Sequence, residues 1–142
     1  MAISEALLQV SEYQGVGYRP LVDYGAWRVA VLRYIDELLP QNIGSMQRHD
    51  ETDEVFVLLA GRCSLFIGEG DAAGGRSEAA DMQPYKLYNV RRGAWHTHTL
   101  DQDAHVLIIE NRDTHNENSP HCALTETQTA ELVRLTGDLW GY

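Results

Sequence analysis

The sequence lacks the features that mark secreted, membrane-spanning and disulfide-stapled proteins. Its two cysteines, Cys63 and Cys122, form neither a CxxC motif nor a metal-type pair, so we expect two reduced thiols. The longest apolar run, residues 55–60, is far too short to span a bilayer. The first ten residues contain Glu5 and no basic segment, so they do not resemble a signal peptide. Together these absences predict a cytoplasmic protein with no membrane partner.

Positive charge is also scarce. The chain has 11 Lys and Arg residues against 21 Asp and Glu residues, a net charge of −10. Such a field repels nucleic-acid phosphates and anionic membranes, so we exclude nucleic acid as a partner. The net negative charge does not exclude a small anionic ligand held in a local basic pocket. Four basic side chains are expected to be solvated, with one of them as a candidate anchor for a carboxylate or phosphate: Arg48, Lys86, Arg91 and Arg92.

Most of the pattern of apolar and polar residues in the sequence predicts short β-strands. Residues 54–60 form an apolar run typical of a strand covered on both faces, whereas residues 62–68 alternate, with Cys63, Leu65 and Ile67 on one face. The Ala60-Gly61 step between these two runs predicts a hairpin turn, since glycine readily adopts positive φ. Further strands are predicted at residues 26–35, 85–90, 95–100 and 105–110, with a turn at 101–103.

The segments around these strands carry turn and helix signals. Residues 69–76 are polar and glycine-rich, and no helix pattern follows them, which predicts a hairpin loop rather than a phosphate-binding loop. The first twenty residues are expected to form a short helix and an edge strand. After a polar segment at 113–120, residues 125–139 are predicted as a helix because Thr125 and Gln128 have capping-box spacing. The apolar stripe of this helix consists of Leu132, Leu135 and Leu139. We expect it to pack on the barrel wall or on a partner subunit.

The histidines are concentrated in two places. His49 precedes the strand that begins at Glu54, and His96 and His98 lie two apart on a later predicted strand. Side chains two apart on a strand share a face at a spacing of about 7 Å. If that face is the interior one, two imidazoles converge on a space that can hold a metal ion or a ligand.

These residues follow the spacing of two known motifs, and on them the chain resembles the cupin superfamily. The first cupin motif runs Gly, five residues, His-x-His, three or four residues, Glu, six residues, Gly. Here His49 matches the second histidine, Glu54 follows after four residues and Gly61 after six more. The second motif ends in Pro-x-Gly-x-x-His, three residues, Asn, and Gly93 and His96 match its Gly-x-x-His. The resemblance extends over about residues 27–112.

The sequence departs from both motifs at several positions. Gln47 replaces the first histidine of His-x-His, and Gln41 stands where the leading glycine is expected, with Gly44 nearby. In the second motif, the leading glycine, the proline and the asparagine are replaced by Tyr85, Arg91 and Leu100. The turn glycines are kept, so these changes affect the metal site more than the fold.

The resemblance implies an all-β cupin jelly-roll β-barrel with a C-terminal α-helix. It implies one domain over residues 1–142, with a barrel core at about 20–112 and the helix at about 125–139, and a homodimer. In cupins the matching positions bind a metal, which implies the set Gln47, His49, Glu54 and His96, with His98 as a substitute for Gln47. Two imidazoles and one carboxylate suit iron, manganese or zinc. No organic cofactor is expected.

The sequence leaves the function open between two main classes. One is a metal-dependent enzyme acting on a small polar metabolite such as a sugar or an organic acid, with open metal positions for water or substrate. The other is a metal-free barrel that binds or senses a small molecule without turnover, which the loss of the first motif histidine favours. A scaffold role through the C-terminal helix is a third class.

Overall fold

The computed structural model describes residues 2–69 and 75–142, and in these ranges it contains ten β-strands and one α-helix. Residues 70–74 of the predicted glycine-rich loop lie outside the described residues. The strands are β1 Tyr18–Tyr24, β2 Trp27–Arg33, β3 Ser45–Gln47, β4 Glu54–Ala60, β5 Cys63–Gly68, β6 Ser77–Asp81, β7 Leu87–Val90, β8 His96–Leu100, β9 His105–Asn111 and β10 His121–Ala123, and the helix is α1 Glu126–Trp140.

The strands form two antiparallel sheets that face each other. The first has the order β1-β2-β9-β4-β7 and the second the order β10-β3-β8-β5-β6. The core lies between them, because alternate side chains of each strand point inward. Burying each large apolar side chain contributes about 1.5–3 kcal/mol relative to exposure. The core between the sheets includes Phe56, Leu58, Leu65, Leu100, Val106 and Ile108.

The predicted hairpin between β4 and β5 is wrong, although both strands begin and end close to where the sequence indicates. β4 pairs with β7 and β9 in the first sheet, and β5 pairs with β6 and β8 in the second. The chain therefore turns a corner at Ala60-Gly61 and changes sheets. Gly61 has a φ of 70°, and a Cβ atom there would lie 2.5 Å from the backbone nitrogen of Ala104. Glycine is needed here because this corner packs tightly on the next one.

Helix α1 begins where the capping box predicts. The Thr125 hydroxyl accepts the Gln128 N–H at 3.1 Å, and the Gln128 side chain accepts the Thr125 N–H at 2.8 Å. Leu132 is fully buried against Met46 and Phe66 on the outer face of the second sheet. Leu139 is 37% exposed, so the buried stripe is shorter than the one predicted. The helix packs on the outer face of the second sheet.

The N-terminal region differs from its prediction. β1 lies at an edge of the first sheet but overlaps the first twenty residues only at 18–20, and residues 5–7 form a turn in place of a helix. Three further short strands, β3, β6 and β10, were not predicted, because they are brief and partly polar. In the part of the chain that the structure describes, no helix has the length and apolar character needed to cross a membrane. Assembly into a homodimer stays a prediction.

Candidate metal centre

A cavity of about 630 Å³ lies at one end of the two sheets. Its wall includes strands of both sheets and parts of residues 114–121 that cross between them. All five residues that the cupin resemblance singles out line this cavity: Gln47, His49, Glu54, His96 and His98. The structure therefore gathers the predicted residues around one space.

The backbone brings three of these residues together from different strands. Gln47 at the end of β3 pairs in register with His96 at the start of β8, and His49 follows β3 by two residues. Glu54 is the first residue of β4, in the opposite sheet. Gly93, with a φ of 81°, donates its N–H to the His49 carbonyl at 2.8 Å. The glycine kept from the second motif thus holds the histidine of the first.

Glu54 lies between two imidazoles. Its Oε1 atom is 3.0 Å from His96 Nε2 and 3.3 Å from His49 Nε2. One ligand atom from each of the three residues lies within 4.8 Å of the other two. All three side chains are buried, whereas their neighbours Asp50, Glu51 and Asp53 are exposed. Only the last carboxylate of this acidic stretch turns inward.

Both imidazoles are held by their Nδ1 atoms. His96 Nδ1 is 3.0 Å from the carbonyl oxygen of Ala94, which can only accept, so this nitrogen carries a proton. His49 Nδ1 is 2.7 Å from Ser119 Oγ, which donates its own proton to Asn118 Oδ1 at 3.2 Å. The hydrogen bonds therefore assign a proton to each Nδ1, and each Nε2 faces Glu54 Oε1, as a donor when it carries a second proton and as a lone pair when it does not.

The electrostatics of the three groups favour a positive charge beside Glu54, which a proton on an imidazole or a bound cation can supply. Burial works against the charged form of Glu54, yet hydrogen bonds from His49 and His96 lower its pKa well below the ordinary value. Burial also opposes the charged form of His49, but the Glu54 carboxylate outweighs it and raises the His49 pKa. Two imidazole nitrogens and a carboxylate oxygen form a donor set that fits a divalent metal such as zinc, manganese or iron.

Gln47 and His98 line the cavity outside this group of three. The His98 ring is buried against Phe56, with ring centroids 5.5 Å apart. Burial lowers the pKa of His98 to about 4, so its imidazole is neutral at physiological pH. Its Nδ1 atom has no hydrogen-bond partner within the described protein. Metal ligation by either residue stays a prediction.

Sequence reasoning missed a second polar group in the cavity, centred on Glu110. Glu110 Oε1 accepts hydrogen bonds from the Tyr18 hydroxyl at 2.6 Å and from Arg28 Nη2 at 2.8 Å. Burial and the neighbouring Glu54 carboxylate raise the pKa of Glu110 to about 7. The signal for Glu110 was available, because it continues the inward alternation of Val106 and Ile108 on β9.

The basic residues predicted as anchors do not serve this cavity. Arg48 stacks over Trp95 at 4.9 Å from the ring centroid and pairs with Asp50. Of the four candidates, none lines the cavity, and among the described lining residues Arg28 is the only Lys or Arg. His115 and His121 are exposed and also line the cavity.

Comparison with known proteins gives the fold. No family model matches the sequence, and no curated protein matches it. Among solved structures, the chain is similar to CapF crystallised with 3-isopropenyl-tropolone, with 10% identity over 80% of this chain and 34% of that one at a TM-score of 0.55. This chain therefore spans about a third of CapF.

Two further solved structures show lower similarity scores. A cupin-2 domain protein from Shewanella frigidimarina has 20% identity over 71% of this chain and 85% of that one, with a TM-score of 0.49. Oxalate decarboxylase from Lactobacillus farciminis in complex with formate has 18% identity over 75% and 32%, also at 0.49. Together with the sheet order, the likeness to solved structures confirms the cupin jelly-roll fold predicted from the motifs.

Proposed function

We propose that this protein, whose fold is the cupin jelly roll, binds a divalent metal ion through His49, Glu54 and His96. We propose further that it acts as a metal-dependent enzyme on a small polar metabolite held in the adjoining cavity. A cavity of about 630 Å³ lies within the range of pockets that enclose metabolite-sized ligands.

The observation that carries this proposal is the orientation of the two imidazoles. Each Nδ1–H is bonded to an acceptor, Ala94 O or Ser119 Oγ, and each Nε2 faces Glu54 Oε1. In metal sites, ligating histidines are oriented in this way by a hydrogen bond from the other ring nitrogen. A contact of about 3 Å between an imidazole nitrogen and the carboxylate oxygen is stable when a positive charge lies between them, either a second proton on the imidazole or the bound metal proposed here.

The residues of the chain contribute orientation and exclusion of water. When bound, a divalent metal supplies polarisation of a carbonyl or hydroxyl group of the ligand. Ser119 and Ala94 fix the ring planes, and the buried position of the three ligands limits competition from solvent. Gln47 and His98 add polar contacts to the same wall.

The test is metal analysis of protein purified without an affinity-tag nickel column. We expect close to one iron, manganese or zinc ion per chain, lost in a His49→Ala, His96→Ala double variant. His105→Ala is the matched control, because this half-buried histidine lies outside the cavity, 3.0 Å from Arg33 Nη1. Turnover of a panel of sugars and organic acids with and without chelator then tests catalysis. A folded protein that takes up none of these metals would contradict the proposal.

A metal-free protein that binds or senses a small molecule is the second candidate. Two observations favour it: Gln47 replaces a motif histidine, and Glu54 already contacts both imidazoles directly. In that case protons on the imidazoles, rather than a metal, balance the Glu54 charge. This candidate expects saturable ligand binding that chelator does not change, with no turnover, and measurable turnover of the bound ligand would refute it.

A further inference from the structure

The outer face of the first sheet is apolar and uncovered, and we call it the bare face. Helix α1 is the only α-helix among the described residues and packs on the second sheet, so no α-helix covers the first. Because alternate side chains of a strand point to opposite faces, the register gives the outward residues of β2, β9 and β4. At the centre of the bare face these are Val29, Val31, Leu107, Ile109, Val55 and Val57.

The apolar surface continues to both sides of this centre. Trp27 on β2 is 45% exposed, and Leu87, which pairs with Val57 and faces outward on β7, is 73% exposed. A contiguous apolar patch of this kind on a folded chain marks a surface that meets another protein surface. The bare face is therefore a candidate interface.

The charge of the bare face differs from that of the whole chain. The chain has a net charge of −10, yet the outward positions of the five strands include no Asp or Glu. The outward basic residues are Arg19 on β1 and Arg33 on β2, and they lie at one corner of the face. Two copies of so acidic a chain repel each other over most of their surface, but not here.

The N-terminal arm, residues 2–12, starts from this basic corner. The chain is attached there through the next two residues: Arg33 Nη1 donates to Gln14 Oε1 at 2.9 Å, and the Arg19 guanidinium lies over the Tyr13 ring at 5.8 Å. Every residue of the arm is exposed in its own chain. The arm therefore begins at the border of the bare face without covering it.

The arm has the composition of a segment that packs on another surface. It carries Glu5 and Glu12 and no Lys or Arg, which complements the basic corner. Its large apolar side chains are between 50% and 84% exposed: Ile3, Leu7, Leu8 and Val10. Two apolar surfaces of one chain, the arm and the bare face, thus stay apart in the single copy.

We propose that two copies of this chain associate through their bare faces, and that the arm of each copy packs on the bare face of the other. Association by the sheet edges is disfavoured, because β1 contains Pro20 and a bulge after it and β7 has only four residues. A two-fold arrangement of one self-complementary patch closes at the dimer.

The size of the bare face indicates why the arm is needed. Five strands about 4.8 Å apart and about five residues long cover a flat area of about 400 Å². Stable interfaces bury about 800 Å² on each partner, so the arm has to supply much of the remainder. An extended segment of 11 residues reaches about 36 Å, more than the diagonal of about 29 Å of such a face. The acidic arm of one copy can therefore reach the basic corner of the other.

Sedimentation equilibrium of the full chain, from about 0.1 to 100 μM, tests the proposal. The wild-type protein should have twice the mass of the chain. Ile109→Lys places two like charges at the apolar centre and should raise the dimer Kd by about 30-fold or more. Val133→Lys is the matched control, because Val133 on α1 is 37% exposed and Ile109 is 36% exposed. The Leu7→Ser, Val10→Ser double variant should raise the Kd by about 10-fold or more.

Each outcome decides one part of the proposal. A wild-type monomer at the highest concentration, or a dimer that Ile109→Lys leaves intact, would overturn it; a monomer is also expected if the arm folds onto its own sheet. A dimer that the arm variant leaves unchanged would refute the arm exchange. Circular dichroism checks the fold, and Leu87→Lys replaces Ile109→Lys if that variant does not fold. None of these substitutions touches the proposed metal ligands, so metal content should stay at the wild-type value and the proposed function is judged separately.

Discussion

The hydrogen bond between His49 and Ser119 offers a sharp test of the metal centre. Replacing Ser119 by Ala removes the acceptor that lies 2.7 Å from His49 Nδ1. Ser119 is 3% exposed, so water does not readily replace its hydroxyl. The imidazole can then move its proton to Nε2, where it faces Glu54 and blocks the lone pair that a metal needs.

The size of the expected loss in metal affinity follows from the free-energy cost of leaving the His49 N–H without an acceptor. A buried N–H without an acceptor costs about 1–3 kcal/mol, and each 1.4 kcal/mol corresponds to about tenfold in affinity. This range agrees with the 10- to 100-fold losses typical of removing a partner of a metal-ligating histidine. We therefore expect the Kd for metal to rise by about 10- to 100-fold in Ser119→Ala.

The assay is calorimetric titration of chelator-treated protein with manganese and zinc. Ser119→Thr retains a hydroxyl and should retain most of the affinity. Ser64→Ala is the control, because Ser64 is a fully buried serine outside the cavity that bonds Asp81 and Trp140. A folded Ser119→Ala protein with the wild-type Kd, within about twofold, would refute the argument that this hydrogen bond orients a metal ligand.

Three further predictions concern the barrel and its helix. Gly61→Ala should lower the free energy of unfolding by several kcal/mol, and Gly93→Ala by only about 1–2 kcal/mol. Both glycines have positive φ, but only at Gly61 would the added Cβ atom clash with backbone atoms. Equal losses of stability in urea unfolding would contradict this. Iodoacetamide should modify Cys122 and spare Cys63, whose pKa burial raises, as mass spectrometry can show; equal labelling of the folded protein would refute it. Thr125→Ala should cost about 1 kcal/mol while Thr125→Ser costs little, and equal thermal stability of the two variants would speak against the cap.

The parts of the fold that the sequence predicts well depend on local spacing. Thr125 and Gln128 fix the start of the helix because a capping box needs only residues three apart. The motif spacing likewise places His49, Glu54 and His96 around one cavity, since short loops and fixed strand lengths constrain where they end. Metal binding by these residues stays a prediction that the geometry supports.

The features that the sequence did not predict depend on which strands become neighbours in the sheets. The Ala60-Gly61 step is compatible with a hairpin and with a corner, and only the pairing of β4 with β9 decides between them. Glu110 meets Tyr18 across 92 positions of sequence, so no local window contains the pair. The same holds for Arg28, whose role as the cavity guanidinium follows from β2 lying beside β9.

The sheet order also has a kinetic consequence. Among the described strands, only β1–β2 and β5–β6 are chain neighbours that pair with each other, so most of the two sheets forms through contacts between distant segments. Chains dominated by such contacts fold slowly, in milliseconds to seconds, because loop closure precedes the stabilising contacts. His49 and His96 approach Glu54 from the opposite sheet, so the metal centre is complete only when both sheets have docked. Metal uptake during refolding should therefore report the last step of assembly and stabilise its product.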